Sequence, residues 1–261
     1  MTPLLHIVFF SSGASSWAAA KRVVDRYGAA PVRLVFADTL IEDEDNYRFL
    51  KEGASHIGAE LVHLCDGRTP WEVFKHKRHI GNTRVANCSH VLKQDVCRAY
   101  VKELLAGGFE VRLYLGIDWQ EAHRMESIQK AWAPLDVEFP LCWEPWLDRE
   151  ATHQLVRDAG LALPRLYDLG FAHANCGGFC VKGGHAQFRH LLKTFPERYA
   201  EHERQEQEMR DYLDKDVSIL RDRRHGKTKP LTMRQLRENE EASDQGDLLD
   251  WGGCNCFIGS E

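Results

Sequence analysis

Two short stretches pair cysteines at close range: Cys176-Gly-Gly-Phe-Cys180 and Cys254-Asn-Cys256, four of the eight cysteines in the chain. Four thiolates satisfy a tetrahedral zinc ion or a [4Fe–4S] cluster. Gly177, Gly178, Gly252 and Gly253 would let the backbone wrap such a centre closely. The spacings are not the usual C-x2-C of a zinc knuckle. A redox-active or persulfide-carrying pair, or plain structural cysteines, therefore stay open as alternatives. Cys65, Cys97 and Cys142 are scattered and read as small buried hydrophobes. Cys88 is scattered too, but it lies near Lys93 and is a candidate ligand or acceptor thiol. A second chemical stretch is Phe10-Ser11-Ser12-Gly13-Ala14-Ser15-Ser16. Small residues between an apolar run and a helical pattern give a sharp turn whose helix start offers unpaired N–H groups and a positive dipole end, an anion site. The alternative is a strand–helix turn with good N-caps. A third is Asp38, in Phe36-Ala37-Asp38-Thr39, placed to accept from a ribose or base or to help hold a cation. The acidic run that follows, with Glu42 and Glu44, is expected to charge the first turn of the next helix.

The elements that must position these residues follow from periodicity. Strands are predicted at 4–10, 32–37, 60–64 and 110–116. Helices are predicted at 15–27, 45–57 and 84–105, the last stopped by Gly107-Gly108. This alternation implies βαβ units, hence an α/β fold with a mainly parallel sheet flanked by helices. Ligands of such sheets bind beyond the carboxyl ends of the strands, so 11–16, 38–45, 65–71 and 116–124 are the segments to inspect. After Cys142 the character changes. A capped helix is predicted at 148–159, a Gly/Cys-rich loop built around something at 168–185, and a charged helix at 186–213. Next comes a basic stretch, 221–237, with Arg221, Arg223, Arg224, Lys227, Lys229, Arg234 and Arg237, read as a solvated surface before a nucleic-acid contact. The tail 238–250 is acidic and expected to be mobile. Two parts are expected: a nucleotide-binding α/β domain over 1–165, and a helical, Cys-containing part over 166–261 packing on it.

The 261 residues carry 34 Lys+Arg against 39 Asp+Glu, a formal net charge of −5, with 43% hydrophobic residues. That composition argues against disorder, and the acidic balance argues against broad non-specific nucleic-acid binding. No apolar run approaches the roughly 18–20 residues of a membrane span. The opening run Leu4–Phe10 lacks a basic flank and a small-residue cleavage site, so a cytoplasmic protein is expected.

The succession of motifs resembles a known family. Strand, Ser/Gly loop, helix, then Phe-Ala-Asp-Thr is similar to the PP-loop, adenine nucleotide alpha-hydrolase-like superfamily, and more narrowly to the phosphoadenosine phosphosulfate (PAPS) reductase-like family. Arg84…Cys88-Ser-His-Val-Leu-Lys93 resembles that family's Arg…Cys…Lys segment. Leu115-Gly116-Ile117-Asp118-Trp119…Glu121…His123-Arg124 resembles its Gly-Ile…Glu…Arg segment. Phe139-Pro140-Leu141 and Gly160-Leu161…Pro164 match two further blocks, so the likeness spans roughly 4–200. It implies a Rossmann-like fold binding ATP with Mg²⁺, or an adenylyl sulfate. It places the phosphates on Ser11, Ser12, Gly13, Ser15 and Ser16, and Asp38, Arg84 and Gly116 around the nucleotide. Arg84, Lys93, His123 and Arg124 supply positive charge, with Lys93, Arg124 and Cys88 as the catalytic candidates. Related sulfur-handling enzymes put an iron–sulfur cluster ahead of zinc at the cysteines.

The departures also matter. The family loop reads Ser-Gly-Gly-x-Asp-Ser, whereas Ser12 and Ser15 stand here at the first Gly and at the Asp. The Glu-Cys-Gly-x-His segment of sulfonucleotide reductases is replaced by Cys254-x-Cys256. The expectation is therefore an enzyme that adenylates a small-molecule or nucleic-acid acceptor, or transfers sulfur. The alternatives are a true sulfonucleotide reductase and a non-catalytic nucleotide-binding or nucleic-acid-associated protein.

Overall fold

The computed structural model describes residues 2–223 and 228–242. Strand β1 (Leu4–Phe9) leads through the Ser/Gly loop into helix α1 (Ala14–Tyr27), then β2 (Val32–Asp38), α2 (Glu44–Ile57) and β3 (Glu60–Cys65). The chain continues through α3 (Pro70–Lys77), the short α4 (Asn87–Ser89), a π-helical stretch His90–Asp95, and α5 (Val96–Ala106) to β4 (Glu110–Tyr114). A 3-10 turn, Trp119–Arg124, opens α6 (Met125–Trp132), and a short β5 (Val137–Glu138) follows. The expected α/β class is the one observed. The strands form one parallel sheet in the order β3-β2-β1-β4-β5.

Strand alternation sends one set of side chains to each face. Val8, Leu34, Phe36 and Tyr114 pack under α1, α2 and α7 (Arg149–Asp158), against Trp17, Phe49, Leu50 and Val156. Ile7, Phe9, Val35 and Leu113 pack under α5 and α6, against Cys97, Val101, Ile128 and Trp132. Gly53 permits the close approach of α2 to α1, since a Cβ there would lie 2.7 Å from the Trp17 ring.

After α8 (Arg165–Asp168) the chain builds a second core from α9 (His185–Thr194), α10 (Pro196–Leu213), the antiparallel hairpin β6 (Leu220–Asp222) with β7 (Lys229–Leu231), and α11 (Met233–Ala242). This core draws Trp71, Phe74 and Ile80 from the segment between the third and fourth strands and packs them on Phe179, Phe188, Tyr199 and Met233. No helix among the described residues is long and apolar enough to cross a membrane.

Several expected boundaries are corrected. The helix expected at 84–105 starts only at Asn87 and carries the π-helical stretch. The helix expected at 186–213 is two helices, broken where Phe195 leaves helical geometry (φ −134°) ahead of Pro196. The acidic tail is helical as far as Ala242, within α11. The rest of that tail, Arg224, Lys227, Trp251, Cys254 and Cys256 lie outside the described residues.

Candidate functional site

The strand order reverses between β1 and β4, and a crevice at such a switch point is where open α/β sheets bind ligands. A cleft continuous with solvent opens there. Phe9, Ser11, Gly13, Ser15 and Ser16 form one wall, and Leu115, Gly116 and Ile117 the other. Lys93, Glu121, Arg124, Tyr167, His173 and Asn175 close it.

The Ser/Gly loop is locked by its own side chains. The Ser16 hydroxyl donates to the Gly13 carbonyl at 2.9 Å and accepts from the Ser11 amide at 3.1 Å. Gly13 is the N-cap of α1 and supplies no side chain, and the Tyr167 hydroxyl accepts from the Ala14 amide at 3.4 Å. The start of a 14-residue helix therefore faces the cleft with amides and a dipole that favour an anion. Ser12 takes a left-handed conformation (φ 58°), buries its side chain, and donates to the Ser11 carbonyl rather than lining the cleft. Gly116 has a specific reason to be glycine. A Cβ there would lie 2.6 Å from the Ser15 carbonyl oxygen and 2.8 Å from the Ser16 nitrogen.

Arg124 is held by the 3-10 turn that Asp118 caps, accepting from the amides of Gln120 and Glu121 at 2.9 and 3.2 Å. Its guanidinium pairs with Glu121, yet its Nε is buried and has no hydrogen-bond partner. Arg124 lines the cleft, and its positive charge there suits an anionic ligand. Lys93 comes from the π-helical stretch, a rare distortion that recurs at functional sites. It is 6% exposed, and its Nζ lies 3.5 Å from Glu42.

Glu42 corrects an expectation. It precedes α2, whose N-cap is Asp43, and its side chain is 2% exposed rather than charging a helix turn. It accepts from the Thr39 hydroxyl at 3.0 Å and from the Cys176 amide, so one carboxylate ties the end of β2 to Lys93 and to the Gly/Cys loop. That loop turns through three consecutive left-handed residues, Cys176, Gly177 and Gly178. It is held by Asn46 on the Ala174 carbonyl, Arg198 on the Gly177 carbonyl, and Gln187 on the Gly178 carbonyl at 2.9 Å. Asp43 anchors the same region through Arg165 (2.7 Å) and Arg198 (3.0 Å). Burial alone would raise the Asp43 carboxyl, but hydrogen bonds from Arg165, the Asp45 amide and Arg198 hold it below the ordinary carboxylate range.

Lys93 also walls a second, narrower and more apolar cavity. Cys88, Cys176, Cys180, Thr39, Phe179 and Lys182 are among its lining residues. The structure thus brings Ser11, Gly13, Ser15, Ser16, Lys93, Gly116 and Arg124 to one cleft, and Cys88, Cys176 and Cys180 to the neighbouring cavity.

Other expected residues are elsewhere. Asp38 lines neither cavity: its carboxylate receives the Leu40 amide (2.8 Å), the Tyr47 hydroxyl (2.7 Å) and His63 Nε2 (2.9 Å). A carboxylate ringed by donors has no room to serve a ribose, a base or a cation. Arg84 is exposed in the turn before α4, and lines neither cavity; its amide is held by Asn82 Oδ1 at 2.9 Å. His123 is exposed beyond the cleft wall. Arg234 and Arg237 of the basic stretch are taken up by Glu203, which removes them from a free basic surface. Among the described residues no group of three or more His, Cys, Asp or Glu is arranged to hold a metal ion. Cys176 and Cys180 therefore do not make a zinc or iron–sulfur site with the described residues alone. His173 and Asn175 join the cleft without having been singled out; only the Gly/Cys richness of their loop pointed that way.

No protein-family model matches the chain, and no curated protein matches it. Among solved structures the chain is similar to a phosphoadenylyl-sulfate (PAPS) reductase from Candida auris in a phosphate complex. The identity is 19% over 66% of this chain and 79% of that chain, with a TM-score of 0.45.

Proposed function

We propose that this chain binds an adenine nucleotide, ATP or an adenylyl sulfate, with its phosphates on Ser11, Gly13, Ser15 and Ser16, and uses it to adenylate an acceptor or to move sulfur. The observation that carries the reading is the position of Lys93, whose side chain walls both the anion-suited cleft and the cavity lined by Cys88, Cys176 and Cys180. A nucleotide in the first cavity would sit against thiols in the second, with one ammonium group at the boundary. In an adenylation, charge grows on the α-phosphate; the α1 amides, Lys93 and Arg124 would stabilise it from fixed positions. Mg²⁺ would arrive on the triphosphate, since Mg²⁺ takes its ligands largely from phosphate and water with one or two carboxylates. The thiols also favour a second reading, a sulfonucleotide reductase, in which a thiol rather than an adenylated acceptor takes the sulfur.

The test is calorimetry with ATP, AMP and an adenylyl sulfate on the wild-type chain and Lys93→Met, together with assays of AMP release and of thioredoxin-dependent sulfite release. Nucleotide binding weakened at least tenfold in a folded Lys93→Met chain supports the site. AMP release from ATP supports adenylation, and sulfite release supports the reductase. Absence of binding by all three nucleotides would overturn both readings.

A further inference from the structure

The segment between the third and fourth strands carries charge of one sign. From Val73 to Gln94 it has no acidic residue, in a chain whose net charge is −5. Lys75, Lys77, Arg78 and Arg84 are all exposed there. Lys75 and Lys77 lie in the last turn of α3 and meet the negative end of its dipole. Arg84 lies past the helix and owes nothing to that dipole. Among the described residues none of the four forms an ion pair, whereas Arg204, Arg210 and Arg237 on α10 and α11 each meet a carboxylate.

Two of these cations are held on one aromatic ring. Lys75 Nζ stands 5.4 Å from the Tyr212 ring centroid and the Arg78 guanidinium carbon 5.1 Å, and Arg78 Nη1 donates to the Tyr212 hydroxyl at 3.1 Å. The Tyr212 side chain is itself exposed. Of the acids flanking it in sequence, Asp211 accepts from Gln207, Asp216 pairs with Arg210, and Asp214 pairs with neither Lys75 nor Arg78. Two positive groups on one ring repel each other, and an anion that bridges them relieves the repulsion. The platform beneath them is fixed. Thr69 and Glu72 close a capping box at the start of α3, Trp71 and Phe74 are buried in the second core, and Trp71 Nε1 donates to His202 Nδ1 at 3.0 Å.

We propose that this face binds a single-stranded nucleic acid through its phosphates, with Lys75, Lys77, Arg78 and Arg84 as the contacts and the exposed Tyr212 ring as a stacking surface for a base. Arg grips a phosphate as a fork and Lys meets it as a point charge. A row of cations interleaved with an exposed aromatic ring is the arrangement that tracks a single strand. A membrane surface calls for an apolar face beside the charge, and Val85 is the one large apolar side chain exposed in this segment. The chain around the patch also supplies Pro70, Ala86 and Cys88 to the thiol-lined cavity, so a bound strand lies beside that cavity. The face does not depend on the nucleotide reading, and its binding is measured without ATP.

The experiment is fluorescence anisotropy of the full chain with labelled oligouridylate and oligothymidylate of about 16 nucleotides, over a series of salt concentrations. Polyglutamate and phosphatidylserine vesicles serve as the competing anions. The chain is expected to bind at least one of the two strands, with log K falling against log salt at a slope of about −2 to −3, as three or four phosphate contacts require. Lys75→Gln/Arg78→Gln is expected to weaken binding about tenfold and to flatten the slope by about 1.4. Lys51→Gln/Lys102→Gln removes the same charge from exposed positions on α2 and α5 and is expected to keep the wild-type affinity. A thermal melt checks that both variants are folded, and Lys77→Gln/Arg84→Gln tests the same face without touching Tyr212. The proposal is overturned if neither strand binds, if the control pair loses as much affinity as both patch variants, or if polyglutamate or the vesicles compete as well as an unlabelled strand.

Discussion

Gly116→Ala is a single-methyl test of the cleft. The added Cβ would stand 2.6 Å from the Ser15 carbonyl oxygen, 2.7 Å from its carbon and 2.8 Å from the Ser16 nitrogen. All three are main-chain atoms, so no side-chain rotation relieves the contact. Restoring ordinary van der Waals separation requires the strand end and the helix start to part by about 0.6–0.8 Å. The loop cannot absorb this freely, because Ser16 clamps it to Ser11 and Gly13. Overpacking of this kind costs roughly 1–3 kcal/mol, which for a chain of this size lowers Tm by about 2–10 °C. On the proposed nucleotide reading, the same displacement would move the α1 amides off a phosphate held between them and Arg124. Losing one or two charge-assisted hydrogen bonds at about 1.5–3 kcal/mol each weakens nucleotide binding at least tenfold. Differential scanning calorimetry and isothermal titration with ATP read the two effects separately. A Gly116→Ala chain with wild-type Tm would refute the packing argument. One with lowered Tm and unchanged affinity would show that the Ser/Gly loop does not hold the phosphates.

Three other perturbations address different parts of the molecule. Arg124→Ala should weaken triphosphate binding by about 1.5–3 kcal/mol while leaving adenosine binding nearly unchanged; equal losses in titration calorimetry would make Arg124 structural. Asp43→Ala removes a buried carboxylate from two part-exposed arginines and from the α2 cap, and should cost about 1–3 kcal/mol in urea denaturation; an unchanged urea midpoint would contradict the clamp. Burial and Arg198 hold His202 down at about 3, so the stability of its neutral form is complete above pH 6.5 and is lost as pH falls toward 3, at most about 5 kcal/mol. Burial pushes Glu206 up to about 7, so the stability of its protonated form is complete below pH 4.5 and is lost as pH rises toward 7. The two oppose each other between pH 4.5 and 6.5. Glu206→Gln should therefore make stability fall more steeply as pH is lowered through that window, and parallel urea midpoints for variant and wild type would contradict it.

The sheet was legible because its signals are local. Apolar runs such as Leu4–Phe9 and Val32–Ala37, each followed by an amphipathic stretch, identify βαβ units without long-range information. The Ser/Gly loop, Gly116 and Arg124 were legible for the same reason, since each follows a strand end at the edge where ligands bind. What was not legible depends on partners distant in sequence. Glu42 looked like one more acidic residue ahead of a helix, and only the approach of Lys93 and the Cys176 amide makes it a buried hub. Asp38 had the right place for a ligand contact, but His63, 25 residues later, occupies it. The π-helical stretch carries no composition signal, because Val91–Gln94 would read equally well as ordinary helix.

The second core has a consequence for how the chain folds as it is made. The parallel sheet is complete, apart from its short last strand, once β4 has emerged. Trp71, Phe74 and Ile80 are by then already present, but the residues that cover them run from Leu166 to Leu236. At ribosomal speeds of about 5–20 residues per second, the roughly 150 residues between Ile80 and Leu236 take about 8–30 s to synthesise. For that interval the nascent chain holds two large aromatic side chains whose covering residues have yet to be made.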